Sequence, residues 1–140
     1  MTLTTVEARI SAACAEYLSE MIDAPDIAWP GLKFPADGAA FPDQFLDFNV
    51  NRLPATWASR DTKRHDATLI MTLRTRIPSP EIQASETAGL IAAHMNQAPT
   101  FTRQSVTVTF IQPASVPGAI YDDAWMYHPI QAQITALDGV

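Results

Sequence analysis

The segment from Asp66 to Ile77 alternates apolar and polar side chains along almost its whole length. One parity is apolar, and the other is mainly threonine, aspartate and arginine, with Ile70 as the exception. Successive side chains of a β-strand point to opposite faces, so the pattern predicts a long strand with one face towards a core. A chain with this segment must build a sheet, because a strand is stable only when it pairs with others.

Three further stretches show the same period of two: Gln44–Leu53, Thr102–Ile111 and Trp125–Ala136. The first of them and the strand from Asp66 form a hairpin with a long, basic connection, residues 54–65. Asp26–Trp29 reads as a short extended piece. The loop of residues 30–43 contains Pro and Gly but also Leu32, Phe34 and Phe41, so we expect it to pack back onto the domain.

Two segments instead have apolar residues at helical spacing. The first begins at Thr4 or Thr5, either of which can cap it, and ends before Pro25. The second is expected to have Ser79 as its N-cap and Pro80 as its first helical residue, and to end at residues 96–99.

The order is therefore helix, strand, strand, helix, strand, strand. It predicts a single α+β domain over residues 1–140, with a mostly antiparallel sheet of about four main strands and two helices packed on one face.

Composition narrows the function classes. The chain has 140 residues, of which 47% are hydrophobic and 17% charged, with a net charge of −6 and one cysteine. The net charge argues against nucleic-acid binding by bulk electrostatics, and a single cysteine excludes an internal disulfide framework. No stretch approaches the roughly 20 apolar residues that cross a bilayer, and the N-terminus does not read as a secretory signal, so we expect an intracellular, soluble protein.

The sequence offers few candidates for a catalytic or metal-binding site. His65, His94 and His128 lack metal-ligand spacing, and His94 is expected at the surface or at a rim. Asp122-Asp123 is most simply turn chemistry, Ser79 is a cap, and Cys14 lies on the apolar stripe of the first helix. We therefore expect no catalytic residue, no cofactor and no metal, so not an enzyme.

The charge is unevenly distributed. Residues 52–76 carry two acidic side chains and six basic ones, whereas the segments on either side are acidic overall. The six basic residues are Arg52, Arg60, Lys63, Arg64, Arg74 and Arg76. Such a basic hairpin is a solvated loop, a surface complementary to an acidic neighbour, or, with Trp57 as its aromatic residue, a weaker candidate for nucleic acid.

The polar parity of the last two strands is uncharged, including Thr107, Thr109, Gln131 and Gln133. A solvated face usually carries more charge, and low charge is typical of interface cores. The pattern fits either sheet-mediated self-association or a plain polar face.

The whole chain resembles the tail terminator-like proteins of long-tailed phages and prophages. The resemblance rests on the layout and on four stretches: Ile27–Pro35, the strand Phe45–Val50, the turn Arg76–Ser79 before the middle helix, and Val116–Ile130, where a tryptophan and a tyrosine precede a proline and the last strand. Relatives often have glycines in the turn before the middle helix, where this chain has two prolines.

The resemblance implies a structural role in the virion, at the head-proximal end of the tail, with assembly in the host cytoplasm. Such proteins form rings, typically hexamers, that cap the tail tube, stop its polymerisation and offer a surface to head-completion proteins. The ring would leave a lumen for the genome, with no membrane contact and no sequence-specific nucleic-acid contact. On this chain, the basic connection and the uncharged sheet face become the expected contacts with the tube or an adjacent subunit.

Two alternatives stay open. One is a head–tail connector or another tail-completion protein. The other is a small ligand-binding or catalytic α+β domain, which we would recognise by a deep pocket lined by His65, His128 or Asp122-Asp123.

Overall fold

The computed structural model describes residues 3–35 and 39–138. Part of the loop expected at 30–43, residues 36–38, lies outside the described residues. The elements are α1 (Val6–Ser19), β1 (Asp26–Ala28), β2 (Gln44–Arg52), β3 (Thr56–Trp57), β4 (Lys63–Arg76), α2 (Glu81–Met95), β5 (Thr100–Arg103), β6 (Val106–Ser115), β7 (Ile120–Tyr121) and β8 (Trp125–Asp138).

The fold is α+β, with two helices and one sheet of eight strands. The strands lie in the order β1-β2-β4-β8-β6-β5, with β3 added to β4 and β7 added to β8. The sheet is mixed, because β1 runs parallel to β2 whereas the other described pairs are antiparallel. The α+β class is confirmed, but the predicted strand number and element order are wrong.

The strand Thr102–Ile111 of the prediction is in fact a hairpin of β5 and β6. Gln104 and Ser105 form its turn with φ values of 54° and 59°, the left-handed geometry of a two-residue hairpin turn. Asn and Gly favour that geometry, and this chain has neither at the turn. The sequence therefore carries no turn signal there, and the alternation runs through it.

The core lies between the sheet and a single layer of helices. The inward parity of the central strands supplies Leu46, Leu69, Met71, Ile130 and Ile134, all at most 1% exposed. Helix α1 packs on β2, β5 and β6, and α2 packs on β4, β6 and β8. Both helices therefore cover one face of the sheet, as predicted, and leave the opposite, outer face without a helical cover among the described residues.

The helix ends follow the sequence in part. Thr5 caps α1, and its hydroxyl accepts a hydrogen bond from Ala8 N at 3.4 Å. Helix α2 begins one residue later than predicted, because Pro80 has extended backbone angles and is itself the N-cap. Ser79, the predicted cap, instead donates to the carbonyl oxygen of Arg76 at 2.7 Å.

The loop before β2 packs back on the domain, as expected from its aromatic residues. Trp29 lies 5.5 Å from Phe48 between ring centroids, on the core side. Phe34 and Phe41 lie 5.0 Å and 5.7 Å from Phe45, on the outer face. Leu32 differs from the expectation, since 68% of it is exposed.

Candidate protein–protein interface

The outer face of the sheet presents rows of uncharged polar side chains. In one row Asn49 lies beside Ile70 and Gln131, and in the next Asn51 lies beside Thr68 and Gln133. Gln131 and Gln133 are exposed. The two rows have no charged side chain, so a partner surface could cover them without an ion losing its water.

Threonines lie further along the outer face, towards the β5 edge. Thr107 pairs with Thr102, and their hydroxyl oxygens are 2.9 Å apart. Thr109 lies between Thr135 of β8 and Thr100 of β5. The structure thus places Thr107, Thr109, Gln131 and Gln133 on one face, as their alternation predicts. That this face is an interface stays a prediction.

The connection between β2 and β4 forms a projecting tip, residues 53–64, which we call the hairpin tip. Every residue from 51 to 61 is exposed. Trp57 is 68% exposed, and Lys63 Nζ lies 5.6 Å from the centroid of its ring. Tryptophan is enriched among the residues that dominate protein–protein binding, so Trp57 is a candidate contact residue.

The six basic residues of the hairpin do not form one patch. Lys63 and Arg76 stand at opposite ends of β4, which has 14 residues, about 43 Å apart at ~3.3 Å per residue. The basic side chains of residues 52–76 are therefore divided between the two ends of β4. Only Arg60, Lys63 and Arg64 belong to the hairpin tip, and Arg64 forms an ion pair with Asp66 at 2.9 Å.

The remaining three arginines hold the domain together. Arg52 donates to the Ser11 hydroxyl at 2.6 Å and to the Glu7 carbonyl at 3.1 Å, which ties β2 to α1. Arg74 forms an ion pair with Asp47 and lies over the ring of Tyr127.

Arg76 is the last residue of β4 and contacts both an acidic and an aromatic side chain. It lies 3.3 Å from the Asp43 carboxylate and 4.6 Å from the centroid of the Trp125 ring. That ring belongs to an outer-face aromatic cluster of Phe34, Phe41, Phe45 and Trp125. Sequence reasoning missed this role, because the register of the sheet and not local spacing brings arginine and tryptophan together.

A cleft of about 800 Å³ lies between the C-terminal ends of the two helices. Its wall includes Ile22 after α1 and Leu90 of α2, which are 84% and 53% exposed. Tyr17 and His94 join the two helices, since the Tyr17 hydroxyl donates to the His94 carbonyl at 3.0 Å. His94 Nε2 lies 2.7 Å from the Tyr17 carbonyl, so this nitrogen carries the proton. His94 therefore lies at the rim of a cleft.

An ion pair closes one side of this cleft. Arg103 of β5 donates from Nε and Nη2 to the two carboxylate oxygens of Glu20, each at 2.8 Å. The hydrogen bond from Arg103 lowers the pKa of Glu20 below its usual 4.5. The ligand-binding alternative expected a pocket lined by His65, His128 or the Asp122-Asp123 pair. None of these residues lines this cleft.

Ser85, His128 and Glu81 lie together but do not have the geometry of a catalytic triad. His128 is 1% exposed, and its Nε2 lies 3.1 Å from Ser85 Oγ and 3.3 Å from Glu81 Oε1. A Ser-His-acid triad needs the serine and the acid on different ring nitrogens, and here both contact the same one.

The other candidate residues, Asp122 and Cys14, lie in a turn and in the core. Asp122 accepts hydrogen bonds from the backbone N–H of Asp123 and from the Tyr127 hydroxyl, as turn chemistry predicts. Burial raises the pKa of the Cys14 thiol to about 12, consistent with a core residue. Over residues 3–35 and 39–138 there is no group of three potential metal ligands, and no helix is long and apolar enough to span a membrane.

Thirteen chains of solved structures match this fold. One of them superposes with a TM-score of 0.69 over 94% of this chain and 92% of that chain, at 16% sequence identity. No protein-family model matches the chain, and neither does any curated protein. At this identity, the similarity shows the fold and nothing of the function.

Proposed function

We propose that this chain is a structural virion protein, a tail terminator. Copies of it form a ring, six in number by family resemblance, at the head-proximal end of the tail tube. The ring stops polymerisation of the tube and presents a joining surface to a head-completion protein. No reaction is part of this proposal.

The observation that carries the proposal is the outer face of the sheet, which no helix covers among the described residues. A face of asparagine, threonine and glutamine rows spans β2, β4, β8 and β6 without a charged residue in its two central rows. A monomer gains nothing from excluding charge there, whereas a subunit interface avoids burying ions. The exposed tip with Trp57 supplies a second, different surface, and a ring requires two different complementary surfaces on each copy.

A head–tail connector or another tail-completion protein is the alternative within virion assembly. It would use the same kind of ring but would bind heads or portals in the absence of tail tubes. Adding the purified protein separately to tubes and to DNA-filled heads distinguishes the two. A terminator caps tubes, and a connector joins heads without them.

The test of the proposed function is charge reversal at the hairpin tip. The variant Arg60→Glu, Lys63→Glu, Arg64→Glu should give tails of abnormal length that fail to join heads, because these exposed cations would meet the tube or an adjacent subunit. The control Arg60→Lys, Arg64→Lys keeps the charge and should behave as the native chain. Tails of normal length that join heads in the reversed variant would show that the tip makes no such contact.

A further inference from the structure

The cleft between the helices and the hairpin tip lie at opposite ends of one strand. Gln44, at the start of β2, lines the cleft between the helices. Arg52, at the end of β2, leads into the hairpin tip. The strand has nine residues, so it separates its ends by about 27 Å at ~3.4 Å per residue. The tip therefore does not reach the cleft of its own chain.

The cleft and the tip have opposite charge. The wall of the cleft includes the acidic residues Glu20 and Asp23, and Glu16 lies one turn before Glu20 on α1. Arg103, the basic residue of the wall, forms an ion pair with Glu20, so the remaining negative charge of the wall is that of Asp23, and no lysine or arginine occurs from residue 77 to residue 102. The tip presents Arg60, Lys63 and Arg64 against one acidic residue, Asp61, so its net charge is positive.

Both surfaces also expose large apolar side chains. The cleft presents Ile22 and Leu90, and the tip presents Leu53 and Trp57, each more than half exposed. The cleft has a volume of about 800 Å³. Pockets that enclose a whole small ligand have roughly 300–1,000 Å³, so the cleft is large enough for the indole ring of Trp57. Tryptophan in such a pocket is the commonest kind of interface anchor.

We infer that the hairpin tip of one copy docks into the helix cleft of the next, with Trp57 as the anchor. This inference rests on the proposed ring and names one of its subunit contacts. A contact between opposite ends of identical chains is heterologous, so it continues from copy to copy until the rotation closes a ring. The acidic wall attracts the basic tip and disfavours tip-to-tip pairing.

Cysteine cross-linking tests the pairing directly. Ser59→Cys places a thiol on the tip and Leu90→Cys places one at the cleft, both at exposed positions. Rings from cells that express the two variants together should give disulfide-linked dimers on oxidation, whereas rings of either variant alone should not. A chain with both cysteines should give a ladder of linked species that ends at the ring number. The native Cys14 is buried and does not compete.

Ile82→Cys is the matched control. It lies on the same helix and is 80% exposed, but it does not line the cleft. Ser59→Cys should link to Leu90→Cys about tenfold faster or more than to Ile82→Cys, because docking raises the local concentration of one thiol at the other. Equal rates with both partners, or dimers of Ser59→Cys alone, would overturn the inference.

The failure of this contact is distinguishable from failure of the proposed function. If rings form and cap tubes but the tip and cleft cysteines do not link, the docking is wrong and the terminator proposal stands. If no ring forms, free or on tubes, the terminator proposal itself fails and takes the docking with it.

Discussion

At the scale of single residues, Trp57 is a large aromatic side chain that the fold leaves mostly in water. It is 68% exposed and contacts Lys63 across its ring. Trp57→Ala should leave the unfolding free energy within about 0.5 kcal/mol of the native value, since it removes no buried group. It should nevertheless abolish ring formation at concentrations where the native chain assembles.

Trp57→Phe keeps an aromatic anchor and serves as the matched variant. It should retain rings whose dissociation constant is about tenfold higher, as measured by light scattering over a dilution series. Rings of normal stability in Trp57→Ala would remove Trp57 from the interface.

Asn96, the C-cap of α2, joins the end of that helix to the sheet by its side chain. Its amide nitrogen donates to the Ala114 carbonyl at 2.9 Å, and its amide oxygen accepts from Ala114 N at 2.7 Å. Asn96→Ala leaves the backbone N–H and C=O of the buried Ala114 without these partners. The variant should therefore lower the unfolding free energy by about 1–3 kcal/mol, as measured by urea unfolding. Gln97→Ala, at the exposed next position, should change stability by less than about 0.5 kcal/mol. Equal losses in the two variants would contradict this role.

At the scale of elements, the contact between α1 and β5 depends on the ion pair of Glu20 and Arg103. The pKa of Glu20 is lower in the folded chain than its usual 4.5, chiefly because Arg103 donates to it. A carboxylate with a lowered pKa stabilises the folded state above its unfolded pKa, and that stabilisation is lost as the pH falls through the folded value.

The unfolding free energy of Glu20→Gln should therefore fall less steeply than that of the native chain as the pH drops below 4.5. Arg103→Gln removes the same pair from the other side and should flatten the dependence likewise. Urea titrations at several pH values below and above 4.5 measure this pH dependence of the unfolding free energy. A native pH dependence in both variants would show that the pair does not contribute.

The long elements were predictable from sequence because each contains several periods. Strands β2, β4 and β8 and both helices match their alternation or apolar stripe within a few residues. Strands β1, β3 and β7 have three, two and two residues, too few for any pattern to appear. The β5–β6 turn was missed because Gln104 and Ser105 are not typical turn residues for left-handed geometry.

The candidate surfaces were predictable to different degrees. Alternation correctly placed Thr107 and Gln133 on one outer face. The exposed position of Trp57 agrees with the irregular, polar stretch around it. The cleft was not predictable, because the sheet brings together Ile22 and Leu90, which are distant in sequence. The partners of Arg74 and Arg76 also depend on strand register, which composition does not reveal.

At the scale of the whole molecule, the net charge of −6 conceals a polarity between two ends. Basic side chains of the tip stand at one end of β2, and the acidic wall of the cleft stands at the other. A chain with this polarity is expected to associate head to tail, and the attraction between exposed charges weakens as salt screens it. Rings should therefore dissociate at about tenfold higher protein concentration in 1 M NaCl than at 0.1 M, as measured by sedimentation. Stronger association in high salt would show that apolar contacts dominate.

The mass of the assembled protein, measured by light scattering together with negative-stain imaging, tests the ring most directly. We predict closed rings whose mass is close to six times that of one chain, either free in solution or on the ends of tail tubes. A protein that stays monomeric at high concentration and also leaves tail tubes uncapped would contradict the account.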